Sequence, residues 1–126
     1  MRAVDTNVLV RLLTRDDREQ LVAAESFVQA GAWVSDLVLM EAVWVLDSVY
    51  QVKPAKIATA VEMLLDHRQL VVQEGEVVRA ALSNYRRHPR LGFSDCLILA
   101  VAQRAGHAPL GTFDRELGKL PGAQKL

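Results

Sequence analysis

Short apolar runs alternating with helical segments predict an α/β fold, a mostly parallel sheet covered by helices on both faces. Two further observations support it. The segments between the runs repeat apolar residues at i, i+3 and i+4. Several of them also open on a residue that can cap a helix. The 126 residues fit one domain spanning 1–126, long enough to bury a core without disulfides or a structural metal.

Residues 1–4 read as the first strand. Asp5, Thr6 and Asn7 follow, and each can cap a helix start. Val8, Leu9, Leu12 and Leu13 then share one helical face. Asp16 and Asp17, with Glu19 and Gln20 three residues on, give a second start signal. Gly31 is placed to end that helix. Residues 32–34 read as the second strand, and Ser35 caps a long helix reaching about Tyr50. Pro54 opens another, with Ile57, Val61, Leu64 and Leu65 at helical spacing. Residues 70–72 form a third strand, and Val78, Ala81, Leu82 and Tyr85 mark the helix after it. A loop with His88-Pro89 precedes Ser94, which opens a helix ending near Gly106. Residues 107–110 make a fourth strand and 124–126 a fifth. In such folds ligands gather at the carboxyl ends of strands, where the strand order reverses.

Fifteen basic and fifteen acidic residues give zero formal charge, so any nucleic-acid contact must rest on local patches or bound cations. The single cysteine, Cys96, has no internal partner, which suits a reducing compartment and points to the cytoplasm. Arg2 and Asp5 interrupt the first residues, so no targeting segment is expected. No uncharged stretch reaches the roughly 18 residues a membrane span needs.

Four carboxylates stand out. Glu41 is the only ionisable residue in 37–46, a run that reads as a helix apolar all round and therefore buried. A buried carboxylate needs a reason; pairing with an arginine, or an exposed gap, would be the ordinary ones. Asp95 is the only charged residue in 91–103, although a first-turn acid is also favoured by the helix dipole. Asp5 and Asp114 each directly follow a strand, where an acid is commonly a cap or turn residue. Together the four can reach one edge of the sheet. Two unit charges 4 Å apart repel by about 4 kcal/mol at an effective dielectric near 20. A divalent cation removes that repulsion, and all-oxygen donors favour Mg²⁺ or Mn²⁺ over Zn²⁺. Such sites serve phosphoryl chemistry, activating water and stabilising charge on phosphate. Asp36 rivals Glu41 but reads as an exposed first-turn residue, and Glu116 rivals Asp114 from further into the last helix.

Val4-Asp5-Thr6-Asn7, Ser35-Asp36 leading to Glu41, Phe93-Ser94-Asp95 before Cys96-Leu97-Ile98, and Thr112-Phe113-Asp114 together resemble the PIN-domain nucleases, in the same order over nearly the whole chain. The closest resemblance is to the VapC-type toxins of bacterial toxin–antitoxin pairs. It implies a three-layer α/β/α fold with strand order 3-2-1-4-5. It implies a metal site of Asp5, Glu41, Asp95 and Asp114, with Asp5 and Asp95 as direct ligands and Glu41 and Asp114 partly acting through water. Thr6, Asn7 and Thr112 would orient those carboxylates. The substrate implied is single-stranded or loop RNA, often transfer RNA. The partners implied are a VapB-type antitoxin that wraps the toxin, and a second copy of the chain.

The reaction expected is in-line hydrolysis leaving a 5′-phosphate. Arg86, Arg87, His88 and Arg90 form the densest basic stretch, either a solvated face or a phosphate contact. Trp33, Trp44 and Tyr85 sit in apolar patterns that read as core or interface, and Cys96 reads as a small core residue. Apolar residues in the second and third helical segments exceed the needs of one small core, which marks a dimer or partner surface. No Gly-x-Ser-x-Gly elbow supports a serine hydrolase. A dehalogenase-like site would want an aspartate at position 7, which is Asn. The strongest alternative from another class is a PIN-like RNA-binding or scaffold module without catalysis.

Overall fold

Three short parallel strands carry four helices in the first of two units, Met1–Gly75. The second unit is Glu76–Leu126, and the computed structural model describes all residues 1–126.

Strands β1 (Arg2–Ala3), β2 (Ala32–Val34) and β3 (Leu70–Val72) pair in that order, with Arg2 opposite Ala32 and Val34 opposite Val72. β1 is short because its chain turns into a helix at once. The Val4 N–H still reaches the Trp33 carbonyl, and Asp5 then caps α1 (Thr6–Thr14) by accepting from the Val8 N–H at 3.2 Å. Asp17 caps α2 (Arg18–Val28) in the same way through Gln20. That helix ends at Val28, short of the expected Gly31. Gly31, at φ +94°, instead closes the turn into β2, its N–H donating to the Val28 carbonyl.

Ser35 caps α3 (Asp36–Ser48), which packs against α1 and against α4 (Pro54–Asp66). Leu39, Ala42, Val43 and Leu46 form its buried face. The expectation of a helix buried all round fails here. The opposite face carries Leu37 at 80% exposure and Trp44 at 62%, with exposed Glu41 between them. Leu9, Val34, Leu39, Ile57 and Val61 centre the core of this unit. Each such side chain contributes about 1.5–3 kcal/mol by leaving water.

The turn after α1 is tied to the chain beyond α3. Asp16 accepts from the Thr14 hydroxyl at 2.7 Å, from the Tyr50 hydroxyl at 3.0 Å and from the Arg11 guanidinium. Those bonds, Thr14 first and then Tyr50 and Arg11, hold its carboxyl down to about 2 against an ordinary 3.8. A depressed carboxyl stabilises the fold above its unfolded pKa, and the benefit is lost as pH falls from 3.8 towards 2. Asp16→Asn is therefore expected to lower Tm at neutral pH and to flatten the acid limb of Tm against pH. Superimposable acid limbs would contradict this.

In the second unit, α5 (Gly75–Arg87) buries Val78, Ala81, Leu82 and Tyr85, the four residues that marked it in the sequence. Helix α6 (Phe93–Arg104) starts before the expected Ser94. The N–H groups of Asp95 and Cys96 both donate to the Gly92 carbonyl, so Gly92 occupies the cap position without a side-chain bond. Phe93 then turns inward, edge-on to Tyr85 with ring centroids 5.7 Å apart.

Strands β4 (Leu110–Thr112) and β5 (Ala123–Lys125) pair in parallel, Leu110 opposite Ala123. The expected strand at 107–110 is displaced because Pro109, in a cis peptide with Ala108, has no N–H for a ladder. The ladder opens instead with the Leu110 N–H donating to the Gly122 carbonyl at 2.8 Å. Gly122 sits at φ +87°, and a Cβ there would meet the Gln103 amide at 2.1 Å. That amide donates to the Pro121 carbonyl and pins the loop to α6.

The expected order 3-2-1-4-5 thus appears as 3-2-1 in the first unit and 4-5 in the second, every pair parallel. With six α-helices, the chain has the mixed α/β architecture the sequence predicts. No helix is long and apolar enough to cross a membrane.

Candidate active site

Asp5 stands exposed where β1 hands over to α1. One of its oxygens takes the Val8 N–H, which is the ordinary cap role foreseen for it, and the carboxylate keeps further lone pairs for a second task. The next residue, Thr6, donates from its hydroxyl to Glu41 Oε1 at 2.5 Å. Glu41 is therefore held by a hydroxyl from the start of α1 and not by an arginine. Because it lies on the exposed face of α3, it needs no buried partner.

In the second unit, Asp95 is half-buried in the first turn of α6. Burial, and after it the negative charge of Asp114, pushes its carboxyl up from the ordinary range. Asp114 follows β4. It accepts from the Leu117 N–H at 2.8 Å, and its own N–H donates to the Thr112 hydroxyl at 3.0 Å. Thr112 thereby fixes the backbone from which Asp114 projects. The four acids fall two and two, Asp5 with Glu41 and Asp95 with Asp114. Within each unit no three metal-ligating side chains gather.

The PIN domain sequence model matches residues 2–123. The chain belongs to the PIN domain family. No curated protein matches it.

A PIN domain is a nuclease fold, which puts phosphodiester hydrolysis in view. The two rival acids of this PIN domain are engaged elsewhere. Glu116 pairs with Lys119 at 3.4 Å. Asp36, expected to be exposed, is half-buried. Burial first, then a hydrogen bond and the charge of Glu74, push its carboxyl up, while its N–H donates to the Gln73 side chain at 3.0 Å. The pairing of Asp36 with Glu74 was invisible in sequence, because 38 positions separate the two and each follows a different strand.

The arginines at the end of α5 are exposed, as is Arg90. Arg87 donates to Asn84 at 3.2 Å on its own helix, and Arg86 shares that last turn, where positive charge suits the helix dipole. Asn7 is also exposed and lines a groove of about 390 Å³ between α1 and α2, with Val8, Arg11, Gln20, Ala23, Ala24 and Phe27.

Tyr85 and Cys96 are core residues, Trp33 is exposed, and Trp44, which reads in sequence as core or interface, is exposed as well. Its exposure could have been read from the spacing. Positions 37, 41, 44 and 48 form one helical stripe, and two of its four residues, Glu41 and Ser48, are polar. The Cys96 thiol is pushed up to about 11, by burial first and then by the charge of Asp95. A thiol held protonated does not react as a nucleophile. Native protein at pH 8 should resist iodoacetamide at Cys96 and label fully once unfolded, as mass spectrometry can check. Rapid stoichiometric labelling of the folded chain would show the thiol is accessible as thiolate.

Proposed function

We propose that this PIN domain is a metal-dependent endoribonuclease, the VapC-type toxin of a toxin–antitoxin pair. In this reading residues 1–126 work as one domain, and Asp5, Glu41, Asp95 and Asp114 together hold Mg²⁺ or Mn²⁺. The observation that carries it is the match of the PIN domain model over residues 2–123, and burial of Asp95 together with the charge of Asp114, which push the Asp95 carboxyl up, agrees with it. A hard divalent cation relieves that repulsion. The donor chemistry fits such an ion, since every candidate ligand is a carboxylate oxygen and the nearby sulfur, Cys96, is buried and protonated.

When bound, the cation supplies positive charge at the phosphate and acidifies water. The chain's own residues do the rest. Asp5 and Asp95 would hold the cation directly, and Glu41 and Asp114 would do so partly through water. Thr6 holds Glu41 in place and Thr112 sets the direction of Asp114. Asn7, one residue further into α1, would help orient the group. Water attacks phosphorus in line, the ribose 3′ oxygen leaves, and the product carries a 5′-phosphate. No side chain forms a covalent intermediate.

The substrate we assign is single-stranded or loop RNA, transfer RNA included, with Arg86, Arg87 and Arg90 as phosphate contacts. The antitoxin would occupy the α1–α2 groove, whose Asn7 end lies two residues from Asp5 and so would let a bound segment cover the site. A homodimer and a cytoplasmic location complete the proposal.

Titration of Mg²⁺ and Mn²⁺ in an RNA cleavage assay, with end analysis of the products, tests it. Cleavage should appear with either ion, stop with EDTA and leave 5′-phosphates. RNA binding with no cleavage at any ion concentration would favour the non-catalytic scaffold.

A further inference from the structure

Zero formal charge over the whole chain conceals a division between its two units. Residues 76–126 hold eight of the fifteen basic residues and four of the fifteen acids, so the second unit carries a net +4 and the first a net −4. Two of those four acids are the candidate ligands Asp95 and Asp114, and a third, Glu116, is matched by Lys119 at 3.4 Å. The second unit therefore has cations to spare, and two of them flank Asp114. Arg115 directly follows it, exposed and with no ion pair. Lys125 reaches the same corner from β5. Its register partner in β4 is Thr112, whose hydroxyl accepts from the Asp114 N–H, so the Lys125 and Thr112 side chains share one face of the pair. The stem of Lys125 runs past Gly118, in the short 3-10 turn Leu117–Lys119 that Asp114 caps through the Leu117 N–H. A Cβ at position 118 would lie 2.7 Å from that of Lys125, so glycine leaves the room the lysine takes. The Lys125 Nζ donates to the Leu126 carbonyl at 3.2 Å and meets no acidic side chain.

A single strand of RNA brings one negative charge with every nucleotide. A bound cation answers the charge of the phosphate that is cut. The phosphates on either side still arrive beside Asp95 and Asp114, which repel them, and cations placed next to Asp114 offset that repulsion. We propose that Arg115 and Lys125 hold a phosphate neighbouring the cleaved one, which makes the β4–β5 corner of the second unit a docking surface for single-stranded RNA. The inference rests on the reading of Asp114 as part of the metal site, and it adds two residues to the contacts assigned to Arg86, Arg87 and Arg90. Neither residue touches the reacting atoms, so both are positioning residues. Their contact is with the backbone, so it carries no base preference.

The salt dependence of binding tests this. With Asp5→Asn present to stop turnover and Mg²⁺ held constant, the affinity for a labelled single-stranded RNA is measured by fluorescence anisotropy across a KCl series. Each phosphate contact on a single strand adds about 0.7 to the slope of log affinity against log salt. Arg115→Gln and Lys125→Gln should each lower the slope by about 0.7, a loss of about 5-fold at about 0.1 M salt for curves that meet near about 1 M. The double variant should lower it by about 1.4. Lys125→Arg should keep the slope. Lys56→Gln, the same loss of charge at an exposed position of the first unit, should leave it unchanged. In otherwise unsubstituted protein Arg115→Gln should raise KM more than it lowers kcat. The proposal is overturned if the RNA fails to bind, or if Arg115→Gln and Lys125→Gln leave the slope where Lys56→Gln leaves it. It is overturned equally if polyglutamate of matched charge binds as tightly as the RNA and loses as much on substitution, which would make the corner a face for acidic protein. Failure of the metal-site reading looks different, with slopes that change as stated while unsubstituted protein cleaves no RNA under Mg²⁺ or Mn²⁺.

Discussion

Asp5→Asn is expected to lower RNA cleavage by at least about 10³-fold, several kcal/mol of transition-state stabilisation, while leaving the fold intact. Two roles meet in this one carboxylate, and the substitution separates them. As a cap, Asp5 uses one oxygen to accept from the Val8 N–H. Asparagine caps as well as aspartate does, so α1 should keep its start and Tm should barely move. As a proposed metal ligand, the residue needs its negative charge, which asparagine lacks. Asp5→Ala removes both functions and should add a stability loss of about 1 kcal/mol. Asp95→Asn makes the complementary case. Burial and the charge of Asp114 disfavour the ionised form of Asp95, so neutralising it should leave neutral-pH stability equal or higher while cleavage is still lost. Undiminished cleavage by the Asp5→Asn protein in EDTA would remove the basis of the nuclease reading.

What the sequence made legible follows from how local each signal is. Strands β2 and β3 were placed to the residue because apolar runs of three, bounded by turn or cap residues, leave little room for slippage. Asp17 and Ser35 were readable as caps because the bond each makes spans three residues. The start of α6 was misplaced because its first carbonyl belongs to Gly92, whose lack of a side chain leaves no composition signal, while Ser94 looked the better cap. β4 was set too early because apolar content at 107–110 outweighed a proline that cannot join a ladder. The 37–46 run departs from expectation for another reason. Its apolar composition suggests burial on every face, yet burial of one face suffices to hold a helix. The others here are left to solvent. The link from Thr6 to Glu41 spans 35 positions, and no local pattern encodes a contact of that range. Residue types pointed to the acids, and tertiary packing decides what each one touches.

Leu39→Ala should destabilise the chain by about 3 kcal/mol, within the 2–5 kcal/mol typical of buried leucines, and lower Tm by about 10 °C. Leu39 is fully buried on the inner face of α3, the helix that packs against both α1 and α4. Its removal takes away transfer free energy and leaves a cavity that rigid neighbours fill only in part. The consequence for function is separable from the loss of stability. Glu41 is two residues further along α3, and the Thr6 hydroxyl that holds it belongs to α1. A looser α1–α3 contact should therefore blur the position of Glu41 at temperatures where the protein is still folded. The expected signature is a higher half-saturating concentration of Mg²⁺ or Mn²⁺ for cleavage, with the rate restored at saturating ion. Leu99→Ala is the control, an equally buried leucine in the second unit that should cost similar stability. Since it lies on α6 and makes no part of the Thr6–Glu41 link, its metal dependence should report on Asp95 instead. If Leu39→Ala shifts Tm as stated but leaves the metal dependence of cleavage unchanged, Glu41 does not depend on the packing of α3 for its part in the site.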